Sequence, residues 1–456
     1  MSVEAKSWVP AGRARRRGDM GEVALLAFPV VLQTVAENVM QLANSAMVGR
    51  LGAAQLGAVG FASIWMWTLF VPFAGTANAV QAFVSRQDGA GESGRCGAWV
   101  WQAMWVLAPA MLVWACILAW LVPALFAWVG PPPELYDAAV QYGEWRLLSA
   151  PFIAANFAMI AFFRGCGDTR TPMRAAIIAI AVNIVTAWVL VFGRFGAPQL
   201  GAAGAGAAMG AGSFTNCVLL LWAFLREPMR DRYGTGLWRP ERAAIARFFR
   251  TGAPIGGQWL LDMVTFAVFT SIVARMGAAS MAASQAMLQL LALSFMQAMA
   301  ISQASGTLVG RYLGAGDPQA AQRSYASAQL LSLGISAIVA LLFVAIPEQL
   351  LAIFSDDPEV LALARPLLAL GAFFQLIDAV GIVAAGSLRG AGDTRWPFAV
   401  QATLAWALRL PIVYLCAVVL GGGVFGAWAA ELVHIGALSL AFALRFKGGR
   451  WRSIAI

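Results

Sequence analysis

The 456-residue chain is poor in charge, since Asp, Glu, Lys and Arg together make up 12% of it. A soluble domain has about a quarter of its residues charged, so a soluble globular fold is excluded. Histidine is represented by His434 alone, and the five cysteines show no CxxC or metal-ligand spacing. A zinc site is therefore not expected, and we predict that the cysteines are small apolar packing residues.

The sequence also lacks the motifs of common catalytic and nucleotide-binding sites. It contains no Ser/His/Asp set, no Walker loop and no dinucleotide fingerprint. We therefore expect neither an enzyme nor a bound cofactor. The net charge of +9 does not indicate nucleic-acid binding either, because the arginines lie between apolar runs, where such residues set membrane topology.

Long apolar runs, in contrast, are abundant. Hydrophobic residues make up 60% of the chain, and runs of about 20 residues, each able to cross the hydrocarbon as a helix, recur throughout. The short alternating pattern of barrel strands is absent. The runs predict an all-α integral membrane protein with twelve spans, near residues 21–48, 56–80, 97–125, 138–162, 172–194, 200–225, 246–275, 280–306, 322–347, 360–387, 396–421 and 424–445.

Basic residues are concentrated in alternate loops. One side carries the tails and the linker 226–245, which are rich in arginine, while the opposite side has little beyond Arg50, Arg194, Arg275 and Arg365. The positive-inside rule places the basic side, and with it both termini, in the cytoplasm. Residues 1–20 and 446–456 are then cytoplasmic tails, and the first lacks the short apolar core and cleavage site of a signal peptide.

The two halves of the sequence repeat each other at one offset. Arg164-Gly-Cys-Gly-Asp-Thr-Arg recurs as Arg389-Gly-Ala-Gly-Asp-Thr-Arg, and 389 − 164 = 225. The same offset relates Pro29 to Pro254. An ungapped offset that holds over most of each half indicates a duplication, so each copy contains six of the twelve spans.

An even number of spans in each copy gives both copies the same orientation in the membrane. They should then be related by a pseudo-twofold axis along the membrane normal. We predict an N-terminal six-helix lobe at residues 21–225 and a C-terminal six-helix lobe at residues 246–445, joined by the linker 226–245. Two such lobes are typical of transporters that work by alternating access.

Three acidic residues fall well inside predicted spans: Glu37, Asp262 and Asp378. Glu37 and Asp262 are equivalent in the repeat, since 262 − 37 = 225. Hydrocarbon disfavours a lone carboxylate, so each is a candidate functional residue. A bound proton or Na⁺ neutralises such a group, and a cationic substrate can compete for it. We therefore predict that all three couple transport to a cation, with Asp262 and Asp378 as the metal ligands if the cation is Na⁺.

Polar residues accompany these acids on the same helix faces. Gln33, Glu37, Gln41 and Asn44 share one face of span one, and Gln258, Asp262 and Thr265 repeat the pattern in span seven. A polar stripe faces either a water-filled cavity or neighbouring helices. The residues that we expect to line the cavity or contact substrate are Gln33, Gln41, Asn44, Gln258, Thr265, Gln285 and Phe374.

Other charges within the spans have no assigned role. Arg409 lies beside Pro411 in span eleven, and Glu431 and His434 share a face of span twelve. Each of the three is open to a structural or a functional interpretation. Glu144 and Arg146 are expected to lie within reach of the membrane interface or of each other.

Several motifs together resemble the multidrug and toxic compound extrusion (MATE) family, in particular its NorM-like branch. They are Pro29 followed by Asn44-Ser-Ala-Met-Val-Gly-Arg-Leu-Gly52, the GAGE and GAGD loops at 89–92 and 314–317, and the paired RGxGDTR motifs. The resemblance implies a V-shaped pair of six-helix lobes in a bacterial inner membrane. It also implies a monomer that exports organic cations in exchange for Na⁺ or H⁺ and needs no cofactor.

The resemblance extends to particular residues. Asp262 and Asp378 match family acids of spans seven and ten, which implies that they bind the coupling ion in the C-terminal lobe. Many bacterial members have Asp where this chain has Asn44, and Asn carries no titrating proton, so Glu37 is the candidate replacement in the N-terminal lobe. Phe374 stands where NorM-like members often have Tyr, and it offers no hydroxyl to a cation.

Two other functions are weighed against cation-coupled export. A flippase for a lipid-linked or other amphipathic substrate would place several basic side chains in the central cavity, where the sequence offers mainly Arg409 and Arg146. A channel or a non-transporting receptor would move no substrate uphill. A buried carboxylate pair serves Na⁺ and H⁺ alike, so both ions stay open.

Overall fold

The computed structural model describes residues 18–130, 132–354 and 357–454, without the side chain of Leu293. The N-terminal arginines of the predicted tail, at positions 13 and 15–17, lie outside this described part. Within it, twelve helices are long and apolar enough to cross a membrane. They are α1 (Met20–Gly49), α2 (Ala53–Gly89), α3 (Ser93–Val129), α4 (Pro133–Gly165), α5 (Arg170–Phe192), α6 (Ala202–Leu225), α7 (Arg242–Ala274), α8 (Ala278–Gly314), α9 (Pro318–Ala345), α10 (Pro358–Gly390), α11 (Arg395–Val419) and α12 (Gly423–Lys447).

The prediction of an all-α membrane fold with twelve spans in two six-helix lobes is confirmed. Odd-numbered helices begin, and even-numbered helices end, at the side of the molecule that carries the linker between α6 and α7. We call this side the linker end and the other the open end. A short helix, Glu227–Tyr233, lies in the linker, which is fixed to α3 because the Trp101 indole N–H donates to the Thr235 carbonyl at 2.7 Å.

Aspartates of the sequence motifs start several helices. Asp19 accepts the Glu22 N–H at 2.9 Å at the start of α1, and Asp317 of the GAGD loop accepts the Ala320 N–H at 2.9 Å at the start of α9. Asp168 of the first RGxGDTR motif accepts the Thr171 N–H at 3.0 Å at the start of α5. These side chains satisfy amide groups that have no partner within the first turn of a helix.

The predicted ends of two spans were wrong. α2 and α8 were expected to end near residues 80 and 306, but they continue to Gly89 and Gly314. These extensions are polar, so the apolar runs of the sequence end before them. The helices continue because the two extensions pack on each other. A Cβ on Gly89 would overlap the carbonyl oxygen of Arg311, and one on Gly314 would overlap that of Arg86. Glycine therefore permits the two backbones to touch.

Four clusters of buried apolar side chains show how the lobes join. One cluster lies wholly within residues 48–205 and another wholly within residues 269–430. The other two are shared: Phe248 and Ile255 of α7 pack into the core of the N-terminal lobe, and Val23 and Leu26 of α1 pack into the core of the C-terminal lobe. The linker halves of α1 and α7 therefore each contact the opposite lobe.

Polar contacts between the lobes also lie towards the linker end. Arg311 of α8 pairs with Asp88 of α2 at 2.8 Å and donates to the Cys166 carbonyl at 2.7 Å. Its repeat equivalent Arg86 donates to the Ile454 carbonyl at 2.6 Å. The lobes are thus joined at the linker end, while the unshared clusters occupy the open-end halves. Glu37, Asp262 and Gln285, which lie between mid-membrane and the open end, are exposed. We call the space between the open-end halves of the lobes the central cavity.

Candidate functional site

The acidic residues of the C-terminal lobe lie on three different helices near one another. Asp262, in the middle of α7, has an exposed side chain and accepts a hydrogen bond from Gln401 of α11. Asp378 of α10 is partly buried, and its carboxylate is repelled by those of Asp262 and of Glu431 on α12. The structure thus brings the predicted pair together and adds a third carboxylate.

Arg409 of α11 interacts with two of these carboxylates, those of Glu431 and Asp262. Its Nε donates to Glu431 Oε2 at 2.8 Å, its Nη1 donates to Thr265 Oγ1 at 2.5 Å, and its charge attracts Asp262. It ends the five-residue π-helical turn Ala405–Arg409, just before Pro411. Proline has no N–H and crowds the preceding turn, so the wider turn accommodates it. The break in α11 therefore coincides with the arginine of the site.

His434 completes the group on α12. Its Nδ1 lies 3.7 Å from Glu431 Oε1, and both side chains are buried. Neither ring nitrogen forms a hydrogen bond with another described residue. Arg409, Glu431 and His434, which the sequence left without a role, are therefore one connected group beside Asp262 and Asp378.

Glu37, the acidic residue of the N-terminal lobe, has a different kind of hydrogen-bond partner network. Glu37 is exposed and accepts a hydrogen bond from the Gln33 amide at 3.0 Å, while the Gln33 oxygen accepts one from Arg164 Nη2 at 3.4 Å. Arg164 also donates to Gln303 of α8. An amide thus connects Glu37 to an arginine that contacts the opposite lobe. Gln41, two turns from Gln33, is exposed.

Asn44 is buried inside the N-terminal lobe. Its Nδ2 donates to Asn183 Oδ1 of α5 at 3.0 Å. Both partners are neutral amides, so this part of the lobe has no titrating proton and no charge for a coupling ion.

The remaining predicted cavity residues have varied surroundings. Gln258 is buried, and neither its amide nitrogen nor its amide oxygen has a partner among the described residues. Gln285 of α8 is exposed. The Phe374 ring packs edge-on against Trp428, with the ring centroids 5.8 Å apart. Thr265 is buried beneath Arg409.

Glu144 and Arg146 do not form an ion pair in the described part of the chain. Glu144 is exposed and lines a groove between α3, α4 and α6, whereas Arg146 is buried and its Nε has no partner there. Neither residue belongs to the acidic group of the C-terminal lobe.

Four residues of the two sites were missed at the sequence level. Gln401 and Asn183 are polar residues within apolar runs, so the criterion that identified Gln258 could have found them. Arg164 and Arg389 stood out as the first residues of the repeated motif, but their side-chain contacts had no sequence signal. Within the described ranges, no three His, Cys, Asp or Glu side chains form a cluster that could hold a metal ion.

The MatE family model matches residues 29–189 and 254–415. The two matches begin at the repeat-equivalent prolines, since 254 − 29 = 225, so the model describes one copy of the duplicated unit. Together they cover more than half of the chain. The chain therefore belongs to the MatE family, the multi-pass membrane transporters that its motifs resemble.

Curated relatives align along most of their length. Multidrug resistance protein PmpM of Pseudomonas aeruginosa is 30% identical, over 89% of this chain and 86% of that protein. The probable multidrug resistance protein NorM of Chromobacterium violaceum is 27% identical over 93% of both chains. The resemblance to the NorM-like branch is thus confirmed.

Solved structures share the fold. The eukaryotic MATE transporter AtDTX14 superposes with a TM-score of 0.83 at 19% identity, over 95% of this chain and 96% of that chain. The Vibrio cholerae MATE transporter VcmN in its bent form gives a TM-score of 0.82 at 18% identity, over 94% and 96%. At these identities the likeness establishes the two-lobed MATE fold.

Proposed function

We propose that this chain is a multidrug efflux antiporter that exports organic cations across the bacterial inner membrane in exchange for Na⁺ or H⁺. Its family and its multidrug-resistance relatives support export of drugs. The observation that carries cation coupling is that the carboxylates of Asp262 and Asp378 interact with each other beside the Arg409–Glu431 pair.

The charge of this group suits one monovalent cation. Asp262, Asp378 and Glu431 contribute three negative charges when ionised, and Arg409 and Arg389 interact with Asp262 and contribute two positive charges. With His434, which also interacts with Asp262 and Glu431, in its neutral form, one negative charge remains, which a single Na⁺ or proton neutralises. Inside a membrane an uncompensated charge is costly, so the group favours bound cation until another cation replaces it.

Exchange follows from competition for the same carboxylates. The basic linker end is assigned to the cytoplasm with both termini, so the lobes of this structure are closed towards the cytoplasm and open to the outside. Asp262 is exposed to the open cavity, where it can release an organic cation and take up the coupling ion. Reopening towards the cytoplasm would then present the loaded site to the next substrate.

The arginines near the cavity favour export of cations over lipid flipping. Arg409 is paired with Glu431 and bonded to Thr265, and Arg164 is bonded to Gln303 and Gln33. These two guanidinium groups are therefore occupied by the protein itself, and Arg389 alone does not amount to the several free basic side chains expected of a flippase. Asp262, Asp378 and the cavity belong to one chain, so we expect a monomer to be sufficient for transport.

Transport in proteoliposomes tests the proposal, with a Na⁺ or a pH gradient imposed separately. Wild-type protein should move ethidium uphill with at least one gradient, whereas Asp262→Asn and Asp378→Asn should lose this movement, because each removes a negative charge that the coupling ion neutralises. Glu348→Gln is the matched control, since that side chain is 74% exposed. Uphill ethidium movement at the wild-type rate by both variants would show that the acids do not couple transport.

A further inference from the structure

The repeat relates two sets of polar side chains at the floor of the central cavity. In the first set, Arg164 bonds to Gln33 and Gln303, and Gln33 bonds to Glu37. The positions displaced from these by 225 residues form a second set. Arg389 corresponds to Arg164, Gln258 to Gln33, Asp262 to Glu37 and Asn78 to Gln303. Both sets thus contain an arginine, a buried glutamine on the same helix as an acid, and an amide from the other lobe.

The first set is connected and the second is not. The Arg389 guanidinium interacts electrostatically with Asp262, but it makes no hydrogen bond or ion pair within the described residues. Gln258 is buried with both amide atoms unpartnered, although its counterpart Gln33 bridges an acid and an arginine. Asp262 instead accepts its hydrogen bond from Gln401 of α11.

A cavity lies beside Arg389 and Asn78, two members of the second set. It has a volume of about 40 Å³ and is lined by Arg389, Asn78, Gln81, Gln303 and Trp259, among others. The side chains of the second set are shorter, because Asn78 replaces Gln303 and Asp262 replaces Glu37 by one methylene each. The space beside the guanidinium is large enough for a polar group or a water molecule to enter.

We propose that Arg389 is a positioning residue that neutralises Asp262 when the coupling cation leaves. Asp262 then turns away from Gln401 and connects through the Gln258 amide to Arg389, as Glu37 connects through Gln33 to Arg164. The proposal rests on the coupling role of Asp262 proposed above.

The physical reason is that each arrangement of Asp262 satisfies groups that the other leaves unsatisfied. With a cation bound, Asp262 is neutralised and its bond to Gln401 suffices, while the Gln258 amide stays unpaired. Without a cation, Arg409 attracts Asp262 but donates its hydrogen bonds to Glu431 and Thr265. Closing the second set gives the carboxylate a second positive partner and also pairs the buried amide. Asp262 therefore has two states, and the cation selects between them.

Closing the second set would also change the contact between the lobes. Asn78 belongs to α2 of the N-terminal lobe, and Gln81 of the same helix donates to the Gln303 carbonyl of α8 at 2.8 Å. Asn78, Gln81 and Gln303 line the same cavity as Arg389. Loss of the cation at Asp262 is thereby transmitted to the place where the lobes meet.

The test measures the concentration of coupling cation that gives half-maximal exchange, together with the maximal rate, in proteoliposomes containing the full chain. Arg389→Gln removes the positive charge that competes with the coupling cation for Asp262. The half-maximal concentration of the cation should therefore fall roughly tenfold, as expected for loss of a charge near a carboxylate. The maximal rate should fall as well, because release is slower. Arg389→Lys keeps the charge and should leave the half-maximal concentration within about twofold of wild type.

Two further variants separate this role from a structural one. Gln258→Leu removes the bridging amide and should lower the half-maximal concentration by about threefold, even if Arg389→Gln fails to fold. Arg164→Gln removes the arginine of the connected set and should lower thermal stability without tightening cation binding. Unchanged half-maximal concentrations in both Arg389→Gln and Gln258→Leu would overturn the proposal.

Failure of this proposal can be told apart from failure of the proposed function. If Asp262→Asn abolishes coupling while Arg389→Gln leaves cation affinity unchanged, Arg389 has no part in the exchange and the coupling role of Asp262 stands. If Asp262→Asn exports ethidium uphill like wild type, both proposals fail. In the Asp262→Asn background, Arg389→Gln should have no further effect on cation affinity, because its partner is absent.

Discussion

At the scale of single residues, the Arg409–Glu431 pair is a buried ion pair of the site, with side chains 8% and 7% exposed. Taking two charges out of water is costly, and their attraction compensates for it where the geometry is good and further hydrogen bonds are made. Arg409 meets that condition through Thr265. The pair therefore holds α11 and α12 against α7 around Asp262.

Removing one member of this pair should be worse than removing both. Arg409→Met leaves Glu431 buried without its partner and should lower stability by about 3–5 kcal/mol, and Glu431→Leu should do the same in reverse. The double variant Arg409→Met/Glu431→Leu should be less destabilised than either single variant. Thermal unfolding of purified protein in detergent measures all three, and additive losses would contradict the pairing.

At the scale of helices, the two RGxGDTR motifs show how equal sequences obtain unequal contacts. Asp168 accepts backbone N–H groups at the start of α5, whereas its counterpart Asp393 accepts from Arg445 of α12 at 2.8 Å. The position equivalent to Arg445 in the first copy is Leu220. Without an arginine opposite, the aspartate of the first copy has backbone donors as its partners.

The polar ends of α2 and α8 should determine whether the linker end can close. Gly314→Val places a side chain where the Arg86 carbonyl lies, and overpacking by backbone overlap should disfavour the closed arrangement by about 3 kcal/mol or more. Ethidium export should therefore fall at least about tenfold. Gly334→Val is the control, because a Cβ at Gly334 meets no other atom. Wild-type export by Gly314→Val would show that this approach of α2 and α8 is dispensable.

At the scale of the whole molecule, the linker end is the region in which the lobes contact each other. The linker halves of α1 and α7 are packed into the opposite lobes, and the Asp88–Arg311 ion pair lies on the same side. Alternating access requires these contacts to break and reform. The buried thiol of Cys166 lies at this junction, because its carbonyl accepts from Arg311.

Loss of the Asp88–Arg311 pair should loosen this junction. Asp88→Asn should cost the closed arrangement about 1 kcal/mol, since the pair is partly exposed, and so raise the population of the opened form about fivefold. In a variant with Cys166 as its sole cysteine, labelling by a membrane-impermeant thiol reagent from the linker side should accelerate by that factor. Asp137→Asn, an exposed acid near the open end, is the control. Equal labelling rates would exclude the pair as a closure contact.

The sequence by itself determined the class of protein, the number of spans and the duplication. These follow from apolar runs, from arginines in alternate loops and from one constant offset, all of which are local or linear properties of the chain. It also singled out Glu37, Asp262 and Asp378, because a carboxylate within an apolar run is conspicuous without any knowledge of its neighbours.

Only the tertiary structure decided which side chains meet. Arg409, Glu431 and His434 form one group with Thr265 because of how α7, α11 and α12 are rotated and tilted against each other, and linear spacing does not encode this. The polar ends of α2 and α8 are helical because they contact the other lobe, and such contacts cannot be predicted from the hydropathy of the sequence. The two copies have the same arrangement of helices because they arose by duplication. Their partners on other helices differ, so hydrogen bonds through Gln33 connect Glu37 to an arginine, whereas no such hydrogen bonds connect Asp262 to one.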